Sequence, residues 1–284
     1  MNRWSPPFRR RSIAMCAAVL VVAAVGLVMA QANQGRVLPL EPARKSGASI
    51  TPAFEGWYQN PDGSYSLLIG YYNRNTAETL DIPVGPSNMI EPGAPDQGQP
   101  THFQTGRQWG VFVVRVPKDF GGKSVRWTIE ANGERNTVPF TLNKGYLVTP
   151  LKEAGMSNSP PKLTFADNGT NVTGPPVGFA AELTGKVGDA TAIAVSVEDD
   201  KGIAPSKSAN VANVSFHKYR GSGNVKFDTA RVSAKQQGER VSVKAVFDAA
   251  GEYIVRVQAN DESGEGGGGF QCCWTNAYVK VRVQ

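Results

Sequence analysis

Beyond residue 50 the apolar side chains recur at every second position, a period that a pleated strand satisfies and a helix does not. Tyr65, Leu67, Ile69 and Tyr71 share one face, just after the turn signal Asn60-Pro61-Asp62-Gly63. Val125, Trp127 and Ile129 alternate with Arg126, Thr128 and Glu130. Asn132-Gly133 then supplies two residues that tolerate positive φ, and Val138, Phe140 and Leu142 alternate on the return, which predicts a hairpin. Val111-Phe112-Val113-Val114 is apolar on both faces and predicts a central strand covered from both sides. Later runs repeat the pattern: Ile193, Val195, Val197; Val241, Val243, Ala245, Phe247; Tyr253, Val255, Val257; and Val279, Val281, Val283. No apolar 3.6-residue period of helical length follows Ala32. The chain is therefore expected to be all-β, with two groups of short strands forming two sandwiches. An outer-membrane barrel is the rival all-β export, but the last strand lacks an aromatic girdle and several strands have no outward apolar face.

The N-terminus reads as a leader. Arg9-Arg10-Arg11 precedes an uncharged apolar run from Ile13 to Ala30, and Ala30-Gln31-Ala32 fits a small-x-small cleavage site. Residues 1–32 are thus expected to be a cleavable signal peptide, with an uncleaved anchor as the alternative. Either reading exports the rest to a bacterial periplasm, cell surface or medium. Cys16 lies inside the apolar run and reads as filler. Residues 33–50, polar and with Pro39 and Pro42, read as a linker. The first sandwich is placed at 51–150, a second linker at 151–161 on Gly155, Pro160 and Pro161, and the second sandwich at 162–284.

The formal net charge of +6 is concentrated in the leader, whose four arginines face no acid. Beyond it 26 basic residues oppose 24 acidic ones, a net charge of +2 that argues against a nucleic-acid partner. Pro86 to Pro100 carries four prolines and reads as one long loop of the kind that serves function.

Phe247-Asp248-Ala249-Ala250-Gly251-Glu252-Tyr253-Ile254-Val255-Arg256-Val257, followed by Ala259-Asn260-Asp261, resembles the penultimate-strand region of immunoglobulin-like modules of bacterial surface proteins, in particular the polycystic-kidney-disease type. The resemblance spans residues 177–284. It implies an immunoglobulin-like second domain with a buried Tyr253 that returns its hydroxyl to the backbone; with the strand pattern of the first half, whose family is unassigned, the expected architecture is two immunoglobulin-like β-sandwich domains. The family's Trp-Asp-Phe-Gly-Asp-Gly run is absent; Val214 to Gly221 stands nearest to it.

Few residues suggest chemistry. Cys272 and Cys273 are adjacent, and consecutive Cα atoms stand ~3.8 Å apart, closer than an ordinary disulfide prefers. Three readings stay open: a strained vicinal disulfide acting as a hard apolar platform or redox switch, two reduced half-buried thiols, or a bridge to another chain. Phe270 and Trp274 flank them after the glycine-rich run Gly264–Gly269 and are candidate ligand-stacking residues on a sandwich-end loop, Gly264–Trp274, although Trp274 also reads as a cover for its own core. Glu198-Asp199-Asp200 and Asp261-Glu262 are the acidic groups that could hold calcium, but no alternating Asp loop is present, and no other cofactor is implied. His102 and His217 fall in different halves, with no serine or acid paired to either in sequence. No Gly-x-Ser-x-Gly elbow occurs, and the three Asn-x-Ser/Thr sequons (Asn168, Asn171, Asn213) read as chance matches. The expected role is a non-catalytic interaction or structural module whose partner is a protein or polysaccharide of the cell envelope. A carbohydrate-binding module using Phe270 and Trp274 is the alternative, and a secreted all-β hydrolase the next.

If Cys272 and Cys273 close on each other, the exported protein has a mass two hydrogen atoms below its reduced form and shows no covalent dimer. Alkylation of both thiols under native, non-reducing conditions refutes that pairing.

Overall fold

In the computed structural model, which describes residues 44–149, 158–165, 170–200, 210–261 and 273–284, the alternation becomes sheets with one face on a core. The leader, Phe270, Cys272 and the glycine run lie outside the described residues. Among the described residues the helical content is one 3-10 turn, Lys144–Tyr146. No described helix is long and apolar enough to cross a membrane.

The first half opens with β1 (Ile50–Gln59) and β2 (Tyr65–Asn73), antiparallel around the predicted turn, where Gly63 takes φ 84°. The short β3 (Leu80–Asp81), β4 (Asn88–Glu91) and β5 (His102–Phe103) follow, then β6 (Gly106–Val116), β7 (Ser124–Ala131) and β8 (Glu134–Thr141). Their sheets run β1-β2-β6 and β4-β7-β8, with β3-β5 as a ribbon. Leu67, Ile69, Tyr71, Phe112, Trp127, Ile129 and Phe140 close the core between them. Burying each such aliphatic or phenyl side chain contributes ~1.5–3 kcal/mol. Asn132 (φ 52°) and Gly133 (φ 82°) turn β7 into β8 as their residue types require. Ala48 and Ser49 are already buried, so packed structure begins within the stretch read as a linker.

Two expectations change here. The segment from Pro86 to Pro100 is not one long loop, because β4 lies inside it and pairs with β7. Its prolines flank those four residues and leave their amides free to bond. Buried Asn88 holds the segment from within: it accepts from Trp127 Nε1 at 2.9 Å and donates to the carbonyls of Ile82 (2.9 Å) and Pro100 (2.7 Å). Likewise β6 is not a central strand. Among the described strands its one ladder partner is β2, so it lies at the edge of its sheet.

The second half contains β9 (Lys162–Phe165), β10 (Thr170–Thr173), β11 (Ala181–Gly185), β12 (Ala190–Glu198), β13 (Ala212–Arg220), β14 (Val225–Phe227), β15 (Arg231–Ala234), β16 (Glu239–Phe247), β17 (Gly251–Asn260) and β18 (Trp274–Val283). They form two five-stranded sheets, β10-β9-β12-β16-β14 and β11-β18-β17-β13-β15. Both sheets are open, with edge strands, as in a sandwich and unlike a closed barrel. Ile193, Val195, Val197, Val241, Val243, Phe247, Val255, Val257, Val279 and Val281 meet in one core, on the faces the alternation assigns. Tyr253 is fully buried; its hydroxyl donates to the Ala249 carbonyl at 2.8 Å and accepts from the Gly223 amide at 3.1 Å. A Cβ on Gly221 would sit 2.1 Å from that ring, so the glycine there is a packing requirement.

Tyr253→Phe keeps the ring and leaves the Gly223 amide and Ala249 carbonyl without their partner. The expected loss is ~1–3 kcal/mol in urea unfolding with an unchanged m-value; a variant as stable as the wild type contradicts the assignment.

Candidate functional site: the seam between the sandwiches

Residues 43–284 form one compact unit, and the two cores share a seam. It is built by the side of β13, β17 and β18 that points away from their own core. Along β18, Thr275, Ala277 and Val279 take one face and Trp274, Asn276 and Tyr278 the other, by strand alternation. Along β17, Ile254, Arg256 and Gln258 share that second face, and Arg256 lies directly across from Tyr278 and from His217 of β13.

What this face meets is the exposed edge of β6. A register shift in the β2–β6 pairing surrounds Gly110, whose φ is +50°. An edge strand leaves carbonyls without a ladder partner. Here side chains occupy them: Asn276 Nδ2 donates to the carbonyls of Trp109 (3.2 Å) and Gly110 (3.0 Å), and the Tyr278 hydroxyl donates to that of Val111. Trp274, only 1 % exposed, lays its ring where a Gly110 side chain would be, 1.7 Å from an added Cβ. Beneath it buried Glu55 accepts from the Gly110 amide at 2.6 Å and pairs with Arg107 at 2.9 Å. Arg107 in turn stacks 3.9 Å over Trp109.

The proline-rich segment supplies the other flank. Arg220 grips Asp96 with both terminal nitrogens at 2.8 Å and donates through Nε to the Gln99 carbonyl at 2.8 Å. Tyr219 donates to the Gly98 carbonyl, stacks 4.7 Å from Tyr278 and packs in the first half's core. Burial raises the Tyr219 and Tyr278 hydroxyls well above the usual phenol range, so both stay donors at any physiological pH. Hydrogen bonding by Arg220 lowers Asp96.

Both histidines converge on this seam, which the sequence did not disclose. His102 Nδ1 lies 2.9 Å from Asp81, and Lys218 Nζ donates to the same carboxylate at 3.0 Å. Burial raises the Asp81 carboxyl, but the hydrogen bonds from Lys218 and His102 outweigh it and hold it below its ordinary value. Burial lowers His102, against the pull of Asp81. His217 is pushed down to about 3, first by burial and then by the charges of Arg256, His102 and Arg231.

Between Phe112, Val113, Pro176, Phe179, Ile254 and Tyr278 the seam opens into a cleft of about 240 Å³. Beside it Val177 is 83 % and Phe179 45 % exposed. Neither was singled out by sequence, because a Pro-Pro-Val-Gly-Phe loop carries no period.

The residues chosen from sequence fare differently. Phe270 and Cys272 lie outside the described residues. Trp274 is committed to the Gly110 contact, with no ring face left for a ligand. Cys273 is buried and disulfide-bonded, to a partner outside the described residues, with its sulfur 3.4 Å from the Asn158 carbonyl. Two of the acids are paired, Glu198 with Lys162 at 2.9 Å and Asp261 with Asn158 Nδ2 at 2.5 Å, and Glu262 lies outside the described residues. Among the described residues no three His, Cys, Asp or Glu side chains are grouped to hold a metal.

Gly110→Ala should cost several kcal/mol, since it brings both a positive-φ penalty and a clash with a buried indole. Trp274→Ala alone should cost ~3–5 kcal/mol. Combined, the two should cost less than their sum, because truncating the ring frees the space the new methyl needs; strict additivity in denaturant unfolding breaks the inferred contact.

No family model matches the chain, and no curated protein matches it. Among solved structures, the D00-D0 domain of intimin is 12% identical over 83% of this chain and 100% of its own, with a TM-score of 0.27. Adhesin InvE of Yersinia pseudotuberculosis is 13% identical over 83% of this chain and 58% of its own, with a TM-score of 0.25. Domains 4 and 5 of the S-layer protein SbsC are 13% identical over 83% and 98%, with a TM-score of 0.24.

Proposed function

We propose that the chain is a non-catalytic interaction and structural module of a bacterial cell envelope, exported by its leader to the periplasm or surface. In this reading the two sandwiches, divided near residues 151–161, act as one stiff body, and the second is of the polycystic-kidney-disease-like kind. The observation that carries the reading is the seam. Tyr278, Asn276, Trp274, Arg220 and Tyr219 are all spent on fixing one sandwich against the other, which suits a spacer or a platform that presents a surface at a set angle. Tyr253 at the predicted corner supports the module type.

The recognition surface is the seam cleft with Val177 and Phe179 at its rim, and the partner is an envelope protein that inserts an apolar side chain there. Exposed aromatic and aliphatic residues beside a concave apolar site favour this occupant. The burial of Trp274 removes half of the aromatic pair on which the carbohydrate reading depended. Cys272 is proposed as the partner of Cys273, their ring stiffening the start of β18.

Isolated cell envelopes of the producing bacterium should bind the purified protein saturably. Val177→Asp with Phe179→Asp should weaken that binding tenfold or more, and protease treatment of the envelopes should abolish it. Binding that survives protease but not glycan removal favours the carbohydrate alternative. Turnover of a hydrolase substrate that one Asp or Glu substitution abolishes overturns the non-catalytic reading.

A further inference from the structure

The seam holds more positive charge than it neutralises. Asp96 is engaged by Arg220, Asp81 by Lys218 and His102, and Glu55 by Arg107. Arg256, 2 % exposed, has no carboxylate partner among the described residues; its guanidinium donates to the Gln108 side chain across the seam. The residue directly opposite Arg256 on the neighbouring strand is His217. Directly opposed side chains stand ~4.5–5.5 Å apart at Cβ, and like charges there destabilise the pairing. The charges of Arg231 on β15 and of His102 on β5 act on the same imidazole. A neutral ring is tolerated in that company, whereas an imidazolium on the half-buried His217 would be a second cation directly beside buried Arg256.

The two halves also have what a separable joint needs. Each closes its own core; among the described residues Tyr219 is the buried side chain of the second half that joins the core of the first, with Ile254 and Tyr278 packed against it. We propose that His217 is an acid-sensitive latch: protonation of its imidazole loosens the seam between the sandwiches while each sandwich stays folded.

The direction follows from linkage. An imidazole freed into water titrates near 6.5, and in the closed seam it is held down to about 3. The open state therefore binds the extra proton first. The latch contribution is complete above pH 6.5 and is lost as pH falls toward 3, by about tenfold in the open-to-closed ratio per pH unit. His102, also lowered, adds in the same direction, and its contact with Asp81 offsets part of its share. Exposure to mild acid would thus release the fixed angle between the sandwiches and dismantle the cleft that both halves line.

The test compares small-angle scattering and far-UV circular dichroism of the purified full-length protein at pH 7.5 and 4.5. The radius of gyration should rise at pH 4.5 with the β signal retained. His217→Phe and His217→Gln, neither able to charge, should keep the compact dimension at pH 4.5, and either one that folds suffices. Unchanged wild-type dimensions at pH 4.5, an expansion that persists in the variants, or loss of the β signal together with the expansion each overturns the latch.

Discussion

Three carbonyls at a bulged strand edge, those of Trp109, Gly110 and Val111, determine how this molecule is put together. In a larger sheet they would bond to a neighbouring strand. Here they receive Asn276 and Tyr278, two side chains that a different sandwich presents on the outer face of its last strand. A backbone edge left open invites pairing with other chains, and covering it with side chains protects it while joining the halves. The glycine at the bulge serves twice. It allows the positive φ that aims these carbonyls, and its missing side chain is the recess that Trp274 fills.

Around that contact the polar groups fall into a consistent pattern. Arg220, Lys218 and Arg107 each find a carboxylate, while Arg256 donates to the amide oxygen of Gln108. A seam of this kind is geometrically specific, since each donor must reach one acceptor, and a small rotation of one sandwich would orphan several buried groups at once. It also explains why the strands that build it are buried on both faces although their sequence alternates. The core side of β17 carries valines and Tyr253; on the seam side Arg256 and Gln258 are equally hidden from water and Ile254 is half-buried at the cleft.

Much of the architecture is legible in the chain because strand pairing with one core face leaves a local trace. The β7–β8 hairpin follows from Asn132-Gly133 and the flanking alternation, and the Tyr253 corner from its surrounding run. Other features leave no such trace. Four residues between prolines look like loop until Trp127, 39 positions away, is seen to bond to Asn88. His102 and His217 look unrelated until the seam brings them together. Arg256 and Asn276 read as ordinary solvent-facing polar residues of a one-sided sheet, since nothing nearby in sequence says that the outer face is covered. Phe270 and Trp274 look like a loop-tip binding pair because they stand beside a glycine run, and nothing near Trp274 in sequence marks the recess at Gly110 that takes its ring.

Period-two patterning, turn residues and the lack of helical periodicity by themselves determined an all-β chain with its core-facing residues assigned. Those properties depend on neighbours within a few positions, where backbone geometry dictates which way each side chain points. Tertiary structure alone decided that the two sandwiches are joined, which edge is capped, and which polar residues are buried and in what company. Contacts between side chains more than a hundred positions apart are set by the shapes of two finished surfaces, and no local period encodes them.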